Sequence, residues 1–87
     1  MSIVNKKKGD NMYISRIKEL REDHDLKQIN IANLLNMKQP QYARYEIGKR
    51  DFPIETIIKL AEFYNTSTDY ILGITNEIKP YPRNKNN

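Results

Sequence analysis

The spacing of the hydrophobic residues between positions 14 and 72 is the feature that most constrains how this chain can fold. In the clearest run, apolar side chains stand at i, i+3, i+4, i+7 and i+10: Ile54, Ile57, Ile58, Ala61 and Tyr64. This spacing places them on one face of an α-helix, and the neighbouring Pro53 supports a helix start there. No segment shows a strand pattern. The sequence therefore predicts an all-α fold.

Four further short helices are predicted, each bounded by residues that start or stop helices. They are a first helix that carries Ile14, Ile17 and Leu20 and stops near His24-Asp25, a second from Gln28 to about Leu35, a third from Gln39 to about Glu46, and a fifth from the N-cap Ser67 to Leu72. Gly48 and Gly73 close the third and fifth helices. Asn36-Met37-Lys38 forms a three-residue break, because Asn enters positive φ more readily than most side chains.

Length and composition exclude several classes of protein. The 87 residues allow one small domain and are too few for a TIM barrel or a two-half dinucleotide-binding sheet. The absence of cysteine excludes disulfides, thiolate catalysis and most structural zinc sites. No apolar stretch reaches membrane-spanning length, and residues 1–12 contain no apolar core of a secretory signal. We expect a cytoplasmic protein that does not associate with membranes.

The net charge of +4 is unevenly distributed along the chain. Residues 1–12 carry three basic and one acidic side chain, and residues 76–87 carry the same balance. The window from Lys27 to Arg50 holds five basic residues and one acidic residue, Glu46, which suggests a face for a polyanion, although chance is an equal explanation. We expect a flexible basic N-terminal arm over residues 1–12, a domain over 13–73, and a C-terminal tail over 74–87. The arm, including Lys6–Lys8, either contacts phosphate or is solvated.

The second and third helices with their three-residue turn form the helix-turn-helix unit that DNA-binding domains place in the major groove. The sequence around this unit resembles the Cro/cI-like (Xre) family of phage and bacterial repressors. The resemblance covers residues 13–73 and is carried by Arg16 to Arg21, Gln28-x-x-Ile31-Ala32-x-x-Leu35, Met37, Gln39, Arg44-Tyr45-Glu46-x-Gly48-Lys49, Lys59-Leu60-Ala61 and Asp69 to Gly73. It implies a compact five-helix, lambda-repressor-like domain that binds double-stranded operator DNA and regulates transcription, with repression the favoured role.

The resemblance implies that the first turn of the third helix enters the groove, which makes Gln39, Gln41 and Arg44 the candidates for reading bases. A glutamine amide matches the N6 and N7 atoms of adenine, and an arginine matches O6 and N7 of guanine. Ordinary exposed glutamines are the alternative for the first two, and phosphate contact is an equal alternative for Arg44.

Five residues are candidates for contacting DNA phosphates: Gln28, Lys27, Lys38, Lys49 and Arg50. Gln28 matches the family residue whose side chain and backbone N–H hold a phosphate. Lys49 and Arg50 leave the third helix at the level of the DNA backbone, although solvated loop charges are the alternative. Family members usually have Ser or Thr where Lys27 and Lys38 stand. Because lysine cannot accept the helix N–H bonds, we expect each to cost about 1 kcal/mol of stability, compensated by a DNA phosphate.

Arg21 and Glu46 stand where family members form a partly buried ion pair between the first and third helices. The resemblance therefore implies a structural pair that sets the angle of the third helix more than it adds stability, because desolvation offsets most of the attraction.

Other functions receive less support from the sequence. The cluster from Glu22 to Asp25 contains the only histidine, but no second histidine or cysteine completes a metal site, and we expect no metal, no cofactor and no enzymatic activity. The rival function is an antitoxin or a protein-interaction adaptor built on the same fold. A homodimer is expected, with the apolar residues Ile74, Ile78 and Tyr81 beside the fifth helix as its patch. A small-molecule effector is not indicated.

Overall fold

A computed structural model describes residues 12–82, in which five α-helices pack around one core. The helices are α1 (Met12–Asp23), α2 (Gln28–Leu34), α3 (Gln39–Glu46), α4 (Ile54–Phe63) and α5 (Thr68–Leu72). Within this range there is no strand, and α1 packs against both α3 and α5. The predicted all-α, five-helix, lambda-repressor-like fold is confirmed. The arm expected over residues 1–12 lies outside the described residues except for Met12, as do residues 83–87.

No helix in the described range has the length and apolar character needed to cross a membrane.

Left-handed residues terminate the helices at the positions where the chain must turn sharply. Asp25 and Asn36 have φ values of 56° and 60°, as the sequence predicts for the ends of α1 and α2. Gly48, which follows α3, has φ 85°, and a Cβ atom at this position would lie 3.3 Å from Cδ1 of Ile14. Glycine at position 48 therefore suits both the left-handed backbone conformation and the close approach of Ile14 on α1.

The core-facing side of α4 differs from the predicted one. Ile57, Leu60 and Ala61 are buried, whereas Ile54 and Ile58 are 60% and 45% exposed. The predicted apolar face is only partly buried, because the buried stripe is centred on positions 57, 60, 61 and 64. Residues 54 and 58 lie on its flank, which stays open to solvent in the described part of the chain.

An aromatic cluster anchors the loop between α3 and α4. Phe52 is buried in this loop, with its ring stacked on Tyr45 at 5.1 Å between centroids. Tyr13 and Tyr42 meet the same ring edge-on, each at 6.1 Å. The basic residues at positions 49 and 50 therefore belong to a loop that is fixed at its far end by burial of an aromatic side chain.

The segment that follows α5 is held against α1 by one arginine. Nη1 of Arg16 donates hydrogen bonds to the backbone oxygens of Tyr70 (2.5 Å) and Thr75 (2.6 Å). Its Nη2 donates to Oδ1 of Asn76 at 2.6 Å, and its guanidinium group lies 4.1 Å from the centre of the Tyr70 ring. Arg16 thus joins the first helix to the chain beyond the fifth, where sequence reasoning assigned no contact.

Two further hydrogen bonds continue this attachment along the segment. Oγ1 of Thr66 donates to the backbone oxygen of Ile78 at 2.5 Å, and the hydroxyl group of Tyr81 donates to Oδ2 of Asp69 at 2.7 Å. Residues 74–82 therefore follow the surface of the domain. The attachment uses polar and backbone atoms, and the apolar side chains of this segment stay exposed.

The start of α2 lacks the usual side-chain cap. Lys27 occupies the N-cap position with φ −96° and ψ 161°, and its side chain forms no cap hydrogen bond. The backbone N–H of Lys27 donates to Oδ1 of Asn30 at 2.8 Å, which provides one of the two hydrogen bonds of a capping box. The backbone is thus already arranged for a residue whose side chain can accept the second.

Replacing Lys27 by Ser is expected to raise the free energy of unfolding by about 1 kcal/mol, because a hydroxyl oxygen can accept the N–H of Ile29 or share that of Asn30, which now donates only to the backbone oxygen of Lys27. Urea unfolding followed by circular dichroism measures the change. Lys27→Ala is the matched control, since it removes the same charge without adding an acceptor, and it should stabilise the protein less. Equal stabilisation by the two variants would show that the charge of Lys27, and not the missing cap, limits stability.

Candidate nucleic-acid interface

The turn between α2 and α3 presents one side of α3 to solvent. The backbone N–H of Met37 donates to the oxygen of Ala32 at 2.8 Å, which closes α2 just before the chain turns into α3. On α3, Tyr42 and Glu46 are buried, whereas Gln41 and Arg44 are exposed. The exposed side of α3 therefore carries two of the three predicted base-reading residues.

A cleft of about 460 Å³ lies along this exposed side. Its lining consists of Lys38, Pro40, Gln41, Arg44, Tyr45 and Arg50. Three of these side chains are cationic and none is acidic, so the cleft favours an anion. The fold thus brings together four residues that the sequence analysis assigned to DNA, from the N-cap of α3, its exposed side and the following loop.

The remaining predicted phosphate contacts lie elsewhere on the surface. Lys27 and Lys49 are exposed and do not line the cleft. The backbone N–H of Lys49 donates to the oxygen of Arg44 at 2.9 Å, so this lysine lies just after the end of α3. Lys27 stands at the start of α2. The structure thus places these two lysines at the start of α2 and just after α3, outside the lining of the cleft.

Glu46 is a buried carboxylate that accepts four hydrogen bonds. Arg21 donates two of them, from Nε to Oε2 at 2.8 Å and from Nη2 to Oε1 at 2.9 Å. The Tyr42 hydroxyl donates to Oε2 at 2.7 Å, and Nε2 of Gln28 donates to Oε1 at 2.9 Å. Only 4% of Glu46 is exposed, and the hydrogen bonds supply the stabilisation that water would otherwise provide. One carboxylate thus connects α1, α2 and α3.

Burial by itself would raise the pKa of Glu46, but the hydrogen bonds from Arg21, Gln28 and Tyr42 outweigh it and hold the pKa below its ordinary value. The pKa of Tyr42 is raised, first by burial and then by its hydrogen bond to the carboxylate. The hydrogen bond with Glu46 also raises the pKa of Arg21. At neutral pH the group at position 46 is therefore an anion surrounded by donors.

Gln39 does not project freely from α3. Its Nε2 donates to Oε1 of Gln28 at 2.7 Å, and both side chains are half-buried. The amide of Gln39 is thus linked to the first residue of α2. Each amide nitrogen carries a second N–H, and the oxygen of Gln39 also remains as an acceptor. The glutamines that begin two adjacent helices were the available signal for this contact.

The acidic cluster at the end of α1 makes no metal site in the structure. Among residues 12–82, no group of three or more His, Asp or Glu side chains is placed to hold a metal ion. The His24 ring lies within hydrogen-bond distance of the backbone oxygen of Leu20, at 2.8 Å, and 5.0 Å from the ring of Tyr64. These contacts attach His24, which follows α1, to that helix and to the residue after α4.

Comparisons with known proteins agree with this arrangement. A family model described as helix-turn-helix matches residues 17–71. The uncharacterized HTH-type transcriptional regulator YobD of Bacillus subtilis is 33% identical over 86% of this chain and 67% of its own length. The HTH-type transcriptional regulator ImmR of B. subtilis is 40% identical over 67% of this chain and 46% of its own.

A further relative is the cryptic phage CTXphi transcriptional repressor RstR of Vibrio cholerae, which is 40% identical over 61% of this chain and 48% of its own length. No solved structure matches the chain. The chain thus spans between 46% and 67% of the length of these three relatives.

Replacing Glu46 alone is expected to cost several times more stability than replacing both partners of the ion pair. Glu46→Leu leaves the Arg21 guanidinium group, whose side chain is 11% exposed, without its anion, at a cost of about 3 kcal/mol or more. The double variant with Arg21→Met removes the unpaired charge. Urea unfolding of the single and double variants at pH 7 measures both, and equal losses would contradict the pairing.

Proposed function

The chain belongs to the Cro/cI-like (Xre) family of helix-turn-helix proteins, and on this premise we propose that it binds specific double-stranded DNA sequences through the major groove and represses transcription. The observation that carries the proposal is the exposed side of α3, where Lys38, Gln41, Arg44 and Arg50 share one cationic cleft. The names of the relatives, which are transcriptional regulators and one phage repressor, support it.

In the proposed complex, α3 reads base edges from the major groove. Arg44 can form a bidentate contact with O6 and N7 of guanine, and Gln41 can form one with N6 and N7 of adenine. Gln39 contributes the amide oxygen and the second N–H that its bond to Gln28 leaves available. Each bidentate contact discriminates against a wrong base by about 1–3 kcal/mol.

Phosphate contacts fix the register of α3 in the groove. Lys38 and Arg50 border the cleft and would hold the strand that passes beside it. Lys27, Lys49 and the second N–H of Gln28 would contact phosphates on either side. These contacts position the protein without selecting a sequence, and they make its affinity depend on salt concentration.

Repression follows from occupancy, because a protein bound over a promoter excludes the transcription machinery. In this proposal the protein is a cytoplasmic DNA-binding regulator and not an enzyme. Its action requires no cofactor or small-molecule effector. The antitoxin or adaptor function remains the rival, since an interaction module can use the same fold without DNA.

We also propose that the regulator acts as a homodimer in which the exposed apolar residues after α5 meet a second copy. Ile74, Ile78 and Tyr81 are 69%, 49% and 61% exposed, although the backbone beside them is attached to α1, to α5 and to the loop before α5. An ordered segment with outward apolar side chains is suited to contact its own copy across a twofold axis. Two copies would read half-sites about one helical turn apart, which a single small domain binds weakly.

The salt dependence of binding to duplex DNA tests the proposed function. With about three to five phosphates neutralised per subunit, log K against log[salt] should have a slope of about −3 to −5, doubled in a dimer. Lys38→Ser should raise the melting temperature by capping α3 and yet weaken DNA binding, with a slope shallower by about 0.9 per subunit. Fluorescence anisotropy over a salt series measures the affinity and its salt slope for the wild-type protein and for Lys38→Ser.

Lys18→Gln is the matched control for this experiment, because Lys18 is exposed on α1 and does not line the cleft. It removes the same charge and should leave the slope unchanged. A wild-type slope near zero would overturn DNA binding and favour the adaptor. Unchanged affinity in Lys38→Ser would remove Lys38 from the interface.

Ile74→Asp should convert the dimer into a monomer and lower the affinity for a two-half-site duplex, because it places a carboxylate in the proposed apolar contact. Ile54→Asp is the control, since Ile54 is 60% exposed on the flank of α4 and outside the proposed patch. Sedimentation velocity measures the oligomeric state of each variant. A dimer that survives Ile74→Asp and is lost in Ile54→Asp would place the interface on α4.

A further inference from the structure

We propose that Glu46, which is buried, is a positioning residue that determines which base Gln39 reads. The Glu46 carboxylate fixes which end of the Gln28 amide faces it, and Gln28 in turn fixes the orientation of the Gln39 amide. This chain of two hydrogen bonds is called the relay below. The inference rests on the DNA binding proposed above, and it adds a specificity determinant that does not itself contact DNA.

The relay begins with the inability of the Glu46 carboxylate to donate a hydrogen bond. Arg21 holds it through two N–H donors, and the Tyr42 hydroxyl donates to it as well. Because an ionised carboxylate only accepts, the atom of Gln28 that lies 2.9 Å from Oε1 must be the amide nitrogen. The charge of Glu46 thus selects one of the two orientations of the Gln28 amide.

The second step transmits this choice to α3. With its nitrogen turned towards Glu46, Gln28 presents its amide oxygen on the other side. The atom of Gln39 that lies 2.7 Å from this oxygen must therefore be a nitrogen, since two oxygens at that distance would repel. A reversed amide at Gln39 would break its bond to Gln28, and a reversed amide at Gln28 would break both bonds. The orientation of both amides follows from one buried charge.

The consequence for DNA is a fixed donor and acceptor on the unattached side of Gln39. Its oxygen and its second N–H form the pair that adenine matches with its N6 donor and N7 acceptor. Guanine presents two acceptors at the corresponding positions and cannot satisfy the oxygen. Because the relay removes the flipped state of the amide, adenine is favoured before the protein meets its DNA.

Gln41 provides an internal comparison within the same helix. Its side chain is exposed on the cleft and takes no part in the hydrogen bonds that link Glu46, Gln28 and Gln39. A change at Glu46 that merely loosened α3 would affect the bases read by both glutamines. A change that acted through the relay would affect only the base pair read by Gln39.

The test uses the preferred duplex selected from random sequences, together with versions that carry each other base pair at one position. Gln39→Ala identifies the pair that Gln39 reads, and Gln41→Ala identifies the pair read by Gln41. Wild-type protein should prefer adenine at the first position by about 5- to 150-fold. Glu46→Gln, which introduces an amide able to donate or accept, should lose most of this preference and keep that at the Gln41 position.

Moving the carboxylate from position 46 to position 28 should rescue the preference for adenine. In the double variant Glu46→Gln with Gln28→Glu, the carboxylate at position 28 accepts from the amide at position 46 and also from Gln39. The preference for adenine should return, although affinity for every sequence falls because the new anion lies near phosphates. A merely structural role of Glu46 would not restore the adenine preference in a variant whose new anion repels DNA phosphates.

Gln28→Leu keeps the inference testable if Glu46→Gln does not fold, because it leaves the bonds of Arg21 and Tyr42 to the carboxylate in place. It should also lower the base preference at the pair read by Gln39 and leave the preference at the pair read by Gln41 unchanged. Full adenine preference in folded Glu46→Gln, or equal relaxation at the Gln39 and Gln41 positions, would overturn the relay. Failure of the proposed function is a different result, namely no sequence preference and no salt dependence in the wild-type protein.

Discussion

The arrangement of the helix-turn-helix unit depends on one buried anion. The Glu46 carboxylate stands at the end of α3, accepts from Arg21 of α1 and from Gln28 at the start of α2, and is held within its own helix by Tyr42. An anion that has lost water requires each of these donors, so the relative positions of three helices are constrained by the hydrogen-bond geometry of two oxygen atoms. The hydrogen bonds that Glu46 accepts on the buried side of α3 therefore orient the exposed side of the same helix.

We expect this pair to contribute more to geometry than to net stability. The cost of removing Arg21 and Glu46 from water is expected to offset most of their attraction, while the apolar core of the domain supplies the main driving force for folding. What the pair adds is direction, because a bidentate arginine–carboxylate contact tolerates little rotation. A DNA-reading helix needs this property, since its side chains must meet base edges at hydrogen-bond distances.

The loop after α3 and the segment after α5 show where sequence reasoning stopped. Phe52 has no helical period and was not predicted to be buried, yet its ring fixes the loop that carries Arg50. Arg16 belonged to a motif of the resemblance, but nothing in the sequence indicated that it would hold residues 70, 75 and 76. Phe52 meets Tyr13, and Arg16 meets residues beyond α4, so both sets of contacts include partners far apart in the chain. A local pattern of residue types does not encode such partners.

The sequence by itself determined the five helices, the turn between α2 and α3 and the family, because helical spacing, left-handed Asn and Gly residues and caps act over a few neighbouring residues. The tertiary structure decided which side of α4 is buried, which cations share the cleft, and that Gln39 is attached to Gln28. These features depend on the packing angles between helices. An angle is settled only when the core closes and each buried polar group has found its partner.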